Sequence, residues 1–261
     1  KHTTPDRQKD RQTDRQTYKH IQSNSLYIVM PAYNEQDTLR QVVEEWYPIV
    51  AHHNGSGHSK LVIVNDGSKD KTKQIGEELM LEYPDLVFLT KENGGHGDTV
   101  LYAYRYAVEN GAEYIFQTDS DGQTDPDEFE NFWNCRKDYA AVIGDRQADR
   151  QDGKSRIFVE NTVRLIIKII FGVSVPDANA PFRLMRSETA AKYIKKLPEH
   201  FNLPNIMLTT YFVYFNEPVK FIKISFKPRQ GGVNSINMKR IVKIGIRALI
   251  DFADLRRHIN D

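Results

Sequence analysis

Two carboxylates and an amide follow a short apolar segment near the middle of the chain. Residues 114–116 predict a buried strand, and Asp119, Asp121 and Gln123 come just after it. Residues two apart on an extended chain point the same way, so the spacing predicts that the three side chains converge on one point. Such oxygen ligands suit Mg²⁺ or Mn²⁺, which keep further positions for water and phosphate oxygens. The stretch predicts a metal site that holds a diphosphate; the alternative for an Asp-x-Asp triplet alone is a solvated acidic turn.

Other apolar runs supply the strands that must position this site. They lie at residues 26–30, 61–64, 86–89 and 140–143. The first three are each followed by a loop and a helical pattern, and this repeat predicts an α/β fold with a mostly parallel sheet and right-handed crossovers. Ligands of such sheets bind beyond the carboxyl ends of the strands, where the loops lie.

A glycine-rich loop follows the third strand. Residues 93–98 contain three glycines, which allow close backbone approach to a ligand. We expect free amides at the start of the helix 99–110, where an anion is favoured. No Gly-Lys-Ser/Thr follows, which excludes a Walker loop. His96 is either an ordinary loop histidine or a direct substrate contact.

A basic segment begins where the fifth strand ends. It contains Arg146, Arg150, Lys154, Arg156 and Arg164. The segment is either a solvated surface or a set of phosphate contacts, since guanidinium groups match phosphate oxygens well. A proline-bounded loop at 176–183 then carries an acid, Asp177, and a base, Arg183, in a mostly apolar setting.

Composition restricts the partners and the organisation of the chain. A net charge of +1 gives no argument for nucleic acid, and the single cysteine, Cys135, fits a reducing compartment. We expect a disordered arm at 1–24, one domain at 25–235, and a basic amphipathic helix at 236–261 that packs on the domain or lies on a membrane. The most apolar run, 165–175, is too short to span a bilayer.

Four loop motifs together carry a resemblance to a known family. They are Met30-Pro31-Ala32-Tyr33-Asn34-Glu35, Val64-Asn65-Asp66-Gly67-Ser68-Lys69-Asp70, Asn93-Gly94-Gly95-His96-Gly97 and Asp119-Ser120-Asp121. In this order and spacing, over roughly residues 25–235, the chain resembles the inverting family 2 glycosyltransferases with the GT-A fold. Gln123, the Gly144-Asp145-Arg146 step, and Asp177 ahead of Phe182-Arg183 resemble the polyprenyl-phosphate hexosyltransferases, the dolichol-phosphate mannose synthase branch.

The resemblance implies a role for each matching residue. Pro31, Tyr33, Glu35 and Asp66 would hold the nucleotide of a nucleotide-diphospho-sugar donor, and Asp119, Asp121 and Gln123 would hold Mg²⁺ or Mn²⁺ with the diphosphate. Arg146, Arg156 and Arg183 would bind an acceptor phosphate. Asp177 would lie near the reacting centre and act with Asp121 in catalysis. The expected location is the cytoplasm, at the cytoplasmic face of a membrane.

Departures from the family pattern bear on the acceptor. Asn65 stands where an acid is usual, Ala180-Pro181 replaces a Ser/Thr-Gly step, and residues 203–206 replace the Glu-Asp pair that hydroxyl-using members carry as a base. A phosphate acceptor is already anionic at neutral pH and needs no base, so a lipid phosphate is favoured. The alternatives are a glycan hydroxyl with Asp177 as its base, a nucleotidyltransferase, or a non-catalytic sugar-nucleotide binding module.

Overall fold

The computed structural model describes residues 24–55, 57–146, 154–225, 227 and 238–259. Apart from Asn24, the predicted N-terminal arm lies outside the described residues. The glycine-containing loop 228–232 and Arg150 of the basic segment also lie outside them.

Seven strands form one sheet in the described part of the chain. They are β1 Leu26–Ala32, β2 Lys60–Asp66, β3 Leu86–Lys91, β4 Tyr114–Gln117, β5 Ala141–Asp145, β6 Arg183–Arg186 and β7 Val219–Lys223. Their order is β3-β2-β1-β4-β6-β5-β7, and β6 runs antiparallel to both of its neighbours. The other pairs are parallel, so the predicted α/β fold with a mostly parallel sheet is confirmed.

Helices cover both faces of the sheet. They are α1 Leu39–His52, α2 Thr72–Glu82, α3 His96–Glu109, α4 Phe129–Trp133, α5 Lys154–Phe171, α6 Ser187–Ile194, α7 Pro204–Tyr214 and α8 Met238–Arg257. A short 3₁₀ turn, Pro126–Glu128, precedes α4. Among the described residues no helix is both long and apolar enough to cross a membrane.

Side chains of the strands lie alternately in two hydrophobic cores, one on each face of the sheet, because successive residues of a strand face opposite sides. One core joins Val29 and Ile115 to apolar residues of α3, α5, α6, α7 and α8. The other joins Ile28 and Phe116 to residues of α1, α2 and α4. The sheet is therefore a middle layer, and its carboxyl edge lies between the two helical layers.

Two predictions about strands need correction. Arg183 was expected to end the loop 176–183, but it begins β6, which pairs with β4 and β5. Pro31 was expected to end the first strand, but β1 continues to Ala32. The chain tolerates proline here because a parallel ladder bonds alternate residues on each side, and Pro31 offers its carbonyl to another loop, as described below.

Candidate active site

The loops after β1 and β4 meet where the order of the sheet reverses. The chain steps outward from β1 to β2 and β3, and β4 lies on the other side of β1. Ser120 donates a hydrogen bond of 2.7 Å from Oγ to the Pro31 carbonyl, and Thr38 Oγ1 lies 3.4 Å from the Ser120 carbonyl. Ligands of α/β sheets bind at such a switch point, so the Asp-x-Asp turn lies at the expected edge.

The predicted nucleotide residues on the first loop differ in exposure. Pro31 is buried, while the Tyr33 ring is exposed at the rim. Glu35 is buried: its amide donates to Thr72 Oγ1 at 2.8 Å, and its carboxylate accepts from Thr38 Oγ1 at 2.9 Å. Tyr33 therefore offers the most accessible surface of the three, and Glu35 orders the backbone of its loop.

Reciprocal hydrogen bonds tie the first loop to the second. The Asn34 amide donates to Ser68 Oγ, and Asn34 Oδ1 accepts from the Lys69 amide, both at 2.9 Å. Gln36 N donates to Asp70 Oδ2 at 3.3 Å. Asn34 adopts a left-handed backbone with φ 56, a conformation that asparagine tolerates better than most residues. The two loops therefore form one ordered wall of the site.

Asp66 holds the glycine-rich loop. Its carboxylate accepts from the amides of Gly94 and Gly95 at 2.9 Å and from Lys91 Nζ at 2.8 Å. Burial raises the pKa of Asp66, but the hydrogen bonds from Lys91 and Gly94 prevail and lower it below its ordinary value. The expectation of free amides is thus wrong for Gly94 and Gly95, because both donate to a carboxylate of the protein.

A chain of charges continues from Asp66 towards the surface. Lys91 Nζ also lies 2.9 Å from Asp98 Oδ2, and Asp98 Oδ1 lies 2.9 Å from His200 Nδ1. Burial lowers the pKa of Lys91, but the hydrogen bonds to Asp66 and Asp98 outweigh it and raise the pKa. Lys91 is therefore a cation that joins two carboxylates and fixes the start of α3.

The three predicted metal ligands, Asp119, Asp121 and Gln123, lie after the end of β4 and have different hydrogen-bond partners. β4 ends at Gln117, so Asp119 and Asp121 lie on a turn rather than on an extended strand. Asp119 Oδ1 accepts from Gln117 Nε2 at 3.3 Å, and Asp121 Oδ1 accepts from the Gln123 amide at 3.2 Å. The Gln123 side chain instead donates to the Lys227 carbonyl at 3.0 Å. The extended strand on which the convergence was based therefore does not continue past Gln117. Gln123 as a third metal ligand beside Asp119 and Asp121 stays a prediction.

The donor set of this turn nonetheless fits a hard divalent cation. Asp119 and Asp121 supply carboxylate oxygens on one turn, and His96 Nε2 lies 3.8 Å from Asp119 Oδ1. Among the described residues no cluster of three or more His, Cys, Asp or Glu is arranged to bind a metal. Mg²⁺ and Mn²⁺ are commonly held by one or two carboxylates together with substrate phosphates and water, and this turn supplies that minimum.

Arg146 and Asp177 form a buried bidentate pair. Arg146 Nε lies 2.8 Å from Asp177 Oδ2, and Nη2 lies 3.1 Å from Oδ1. Asp177 also accepts from the Asn179 amide, and Glu160 Oε1 lies 3.7 Å from Arg146 Nη2. Asp177 therefore lies in an ion pair that joins the end of β5 to the loop before β6.

Arg183 does not reach the surface. Its side chain is fully buried, and its guanidinium donates to the carbonyls of Ala178, Ala180 and Asn205 and to Thr209 Oγ1. Burial lowers the pKa of Arg183 from its ordinary value. Its expected role in binding an acceptor phosphate is corrected here, because its donors are directed to the protein.

The third expected phosphate ligand, Arg156, lies on the first turns of α5, and its side chain is outside the described part of the structure. Its contact with an acceptor phosphate stays a prediction. The contacts of Pro31, Tyr33, Glu35 and Asp66 with a nucleotide, and those of Asp119 and Asp121 with a metal, are likewise predictions from the resemblance.

A cleft opens beside the glycine-rich loop. It has a volume of about 850 Å³ and lies between residues 93–97, the loop 198–205 and α8. Asn179 and Asn205 are among the residues that line it, together with Arg247 and Asp251 of α8. A cleft with several amides and charged groups suits a polar ligand such as a sugar.

Three buried polar residues behind the Asp-x-Asp turn are not among the predicted site residues. Tyr104 of α3, Gln117 of β4 and Asn205 of α7 are buried and hydrogen-bonded to one another. Gln117 at the end of an apolar strand is a visible signal, because a buried amide requires partners. The identity of those partners depends on how the helices pack, which no local pattern indicates.

Solved structures share this architecture. Glucosyl-3-phosphoglycerate synthase from Mycobacterium tuberculosis, in complex with Mn²⁺ and uridine-diphosphate-glucose, has a TM-score of 0.62 at 13% identity, covering 89% of this chain and 79% of that one. TarS from S. aureus has a TM-score of 0.55 at 14% identity, covering 86% and 64%. The fold is therefore that of the GT-A glycosyltransferases, as expected.

Sequence relatives and a family model identify the family of the chain. Polyprenol monophosphomannose synthase of Mycolicibacterium smegmatis is 24% identical over 87% of this chain and 89% of its own length. A dolichyl-phosphate beta-glucosyltransferase of Trichomonas vaginalis is 29% identical over 63% of this chain, but the match covers only 54% of that protein. The family model Glycosyl transferase family 2 matches residues 27–194, and the chain belongs to this family. The predicted resemblance and enzyme class are thereby confirmed.

Proposed function

We propose that the protein transfers a hexose, with inversion, from a UDP- or GDP-linked sugar to a polyprenyl phosphate in a metal-dependent reaction. The observation that carries the proposal is the Asp119 and Asp121 turn at the switch point of a family 2 glycosyltransferase fold. The names of the relatives support the acceptor, since both describe transfer to a polyprenyl or dolichyl phosphate.

The donor half of the proposed reaction uses the two tied loops and the acidic turn. Tyr33 at the exposed rim would contact the nucleotide, with Pro31, Glu35 and Asp66 shaping the wall behind it. Asp119 and Asp121 would hold Mg²⁺ or Mn²⁺ against the diphosphate. A bound divalent cation supplies positive charge that stabilises the leaving diphosphate as the bond to the anomeric carbon breaks.

The acceptor half favours a phosphate over a hydroxyl. A hydroxyl must lose a proton to a base, whereas a phosphate monoester is already anionic near neutral pH, with a second pKa of about 6. Asp177 is the carboxylate considered as that base, and it is bound by both Nε and Nη2 of Arg146. A carboxylate whose two oxygens both accept from one guanidinium fork is already engaged by the protein, which disfavours Asp177 as the base for an acceptor hydroxyl. Arg156 remains the proposed phosphate ligand.

Two helices give a surface that suits a lipid substrate, and we infer peripheral contact with a membrane. Leu165 and Ile169 of α5 are 58% and 73% exposed, and Leu249 and Ile250 of α8 are also exposed. The two helices contact each other, and the rings of Phe171 and Phe252 pack together. Apolar residues exposed on amphipathic helices insert into the headgroup region of bilayers.

The acceptor is tested by radiolabel transfer. UDP- and GDP-linked sugars are each incubated with Mn²⁺ and polyprenyl phosphate, and product is extracted into organic solvent. Label in the organic phase with one donor is the expected result. Donor consumption with label only in water-soluble glycan would overturn the lipid acceptor and return Asp177 as a candidate base.

The metal site is tested in the same assay with Asp121→Asn. We expect transfer to fall by at least about 100-fold, because the charge of a metal ligand is lost. The matched control is Asp127→Asn, an exposed carboxylate at the start of the next helical turn. Undiminished transfer by a folded Asp121→Asn protein would contradict the proposed role of this turn.

Membrane contact is tested by co-sedimentation with anionic phospholipid vesicles. Ile169→Glu should weaken binding, because a charge replaces an exposed apolar contact. Leu81→Glu is the control: Leu81 is 88% exposed on α2, which covers the opposite face of the sheet. Equal binding by the two variants would refute the assignment of this surface.

A further inference from the structure

The last residue of β4 directs a polar side chain into an apolar core. Ile115 faces the core that contains α3 and α7, Phe116 faces the other core, and Gln117 faces the α3 side again. Gln117 is fully buried. A buried amide without partners is costly, so its hydrogen bonds are expected to be specific.

Gln117 belongs to a directed chain of hydrogen bonds. The Tyr104 hydroxyl lies 2.7 Å from Asn205 Oδ1 and 3.1 Å from Gln117 Oε1. Asn205 Nδ2 donates to Gln117 Oε1 at 2.9 Å, and Gln117 Nε2 donates to Asp119 Oδ1 at 3.3 Å. Each amide therefore accepts on one side and donates on the other, and the chain ends with an N–H on the carboxylate.

The direction of the chain is fixed at its Asp119 end, because an ionised carboxylate only accepts hydrogen bonds. Burial raises the pKa of Tyr104 far above its ordinary value, so the phenol stays protonated and acts as the donor. Because the Gln117 nitrogen faces the Asp119 carboxylate, Gln117 Oε1 faces Asn205 and accepts from its amide nitrogen. Asn205 Oδ1 is then the group that accepts from the phenol.

The backbone of Asn205 is held as firmly as its side chain. Arg183 Nη1 donates to the Asn205 carbonyl at 3.1 Å and to Thr209 Oγ1 at 3.1 Å, one helical turn later. These bonds attach the start of α7 to β6, the strand next to β4. The helix that carries Asn205 is therefore fixed relative to the strand that carries Gln117.

We infer that Asn205 is a positioning residue that acts through Gln117 to orient the Asp119 carboxylate towards the metal. The inference rests on the proposed metal-dependent function. It assigns a role to the segment where hydroxyl-using members of the family carry an acidic pair: here a neutral amide supports the metal ligand.

The chemistry of the chain predicts that an acid cannot replace the amide. In Asn205→Asp a carboxylate oxygen would face Gln117 Oε1, and two acceptors would oppose each other. The Gln117 amide would have to rotate to offer its nitrogen, which would place its oxygen against Asp119. Groups that orient a metal ligand typically change metal affinity by about 10–100-fold when they are removed.

Metal affinity is measured directly, without turnover. Mn²⁺ is titrated into the protein with UDP present, and free Mn²⁺ is followed by electron paramagnetic resonance. We expect Asn205→Asp to raise the Mn²⁺ Kd by about 10-fold or more, and Tyr104→Phe by about 2- to 10-fold, since one neutral hydrogen bond is lost. Thr210→Val is the control, because Thr210 is buried on the same helix and its hydroxyl donates to the Ile206 carbonyl one turn earlier.

Activity measurements add a second criterion. The variants should raise the Mn²⁺ concentration needed for half-maximal transfer and leave the KM for the acceptor unchanged. Thermal unfolding verifies that each variant is folded, and Tyr104→Phe retains the test if Asn205→Asp does not fold. An unchanged Mn²⁺ Kd in folded Tyr104→Phe and Asn205 variants overturns the inference.

Asp119→Asn separates this inference from the proposed function. If Asp119→Asn weakens Mn²⁺ binding and the Asn205 and Tyr104 variants do not, the positioning role alone is overturned. If Asp119→Asn also leaves Mn²⁺ binding unchanged, the proposed metal site itself fails. Transfer to a sugar hydroxyl gained by Asn205→Asp with unaltered metal affinity would assign position 205 to a base and overturn the positioning role.

Discussion

The ion pair between Arg146 and Asp177 is buried on both sides, so the loss of Arg146 should destabilise the fold strongly. The two side chains are 5% and 3% exposed, and they are joined by contacts of 2.8 and 3.1 Å. Solvent screening, which makes exposed pairs weak, is therefore small here. Arg146→Met would remove the cation, preserve most of the volume, and leave the Asp177 carboxylate in its buried position.

The expected cost follows from what remains around Asp177. Removing one partner of a buried pair typically costs about 3–5 kcal/mol. Asp177 retains hydrogen bonds from the amides of Arg146 and Asn179, at 3.4 and 3.2 Å, so we expect the lower end, about 3 kcal/mol. Asp177→Asn should cost less, because Glu160 remains 3.7 Å from the guanidinium.

The assay is urea unfolding followed by the fluorescence of the buried tryptophans, Trp46 and Trp133. In the double variant Arg146→Met/Asp177→Asn both charges of the pair are removed together. Its loss of unfolding free energy should therefore be smaller than the sum of the two single losses by at least about 1.5 kcal/mol. Arg40→Met is the control, since Arg40 and Glu82 form an exposed bidentate pair, and its unfolding midpoint should move far less.

Two results would refute this reasoning. One is a loss below about 1 kcal/mol for Arg146→Met, and the other is strict additivity of the single variants. Either result, together with a raised KM for the acceptor, would instead support Arg146 as a phosphate ligand whose pairing with Asp177 contributes little to stability.

Two further predictions concern the glycine-rich loop. Hydrogen bonds, including that from Lys91, lower the pKa of Asp66 against the effect of burial. The ionised Asp66 carboxylate therefore contributes stability above the unfolded-state pKa of about 3.9. That contribution is lost as the pH falls through the pKa of the folded state. Asp66→Asn should lower stability near neutral pH and flatten its decline in acid, which urea unfolding across that range measures; an unchanged acid decline would contradict this. In Gly97→Ala the new methyl would overlap the Asn202 backbone oxygen, so a loss of about 1–3 kcal/mol is expected, while Gly55→Ala, in open space, should be neutral.

Local patterns were sufficient to predict the strands that carry the site. β1, β2 and β3 are apolar runs that end in polar loops, and a parallel sheet must bring the ends of such strands to one edge. β6 was missed because its four residues are bounded by Arg183 and Arg186 and its pairing partners lie far away in the sequence. A strand this short is defined by its neighbours in the sheet rather than by its own composition.

The roles of charged residues also depend on tertiary neighbours that the local sequence does not indicate. Arg183 and Arg146 have the residue type that binds phosphate, and both lie near the predicted site. Burial decides whether such an arginine binds a ligand or the protein itself. A buried guanidinium surrounded by carbonyl groups or by a carboxylate donates its hydrogen bonds to those protein groups. Burial depends on tertiary packing, so a residue type at a plausible position predicts only that an anion or a carbonyl is nearby.

The two glutamines beside the Asp-x-Asp triplet illustrate the difference between spacing and structure. Gln117 lies two residues before Asp119, and Gln123 lies two residues after Asp121. The resemblance and the strand periodicity both favoured Gln123 as a ligand. The chain turns after Gln117, so Gln123 bonds to Lys227, while Gln117 stays in the sheet and donates to Asp119. Because the turn interrupts the two-residue repeat, spacing alone does not fix where the Gln123 side chain lies, and its role as a metal ligand stays a prediction. Gln117 is on the strand, and its contact with Asp119 depends on the strand's own orientation.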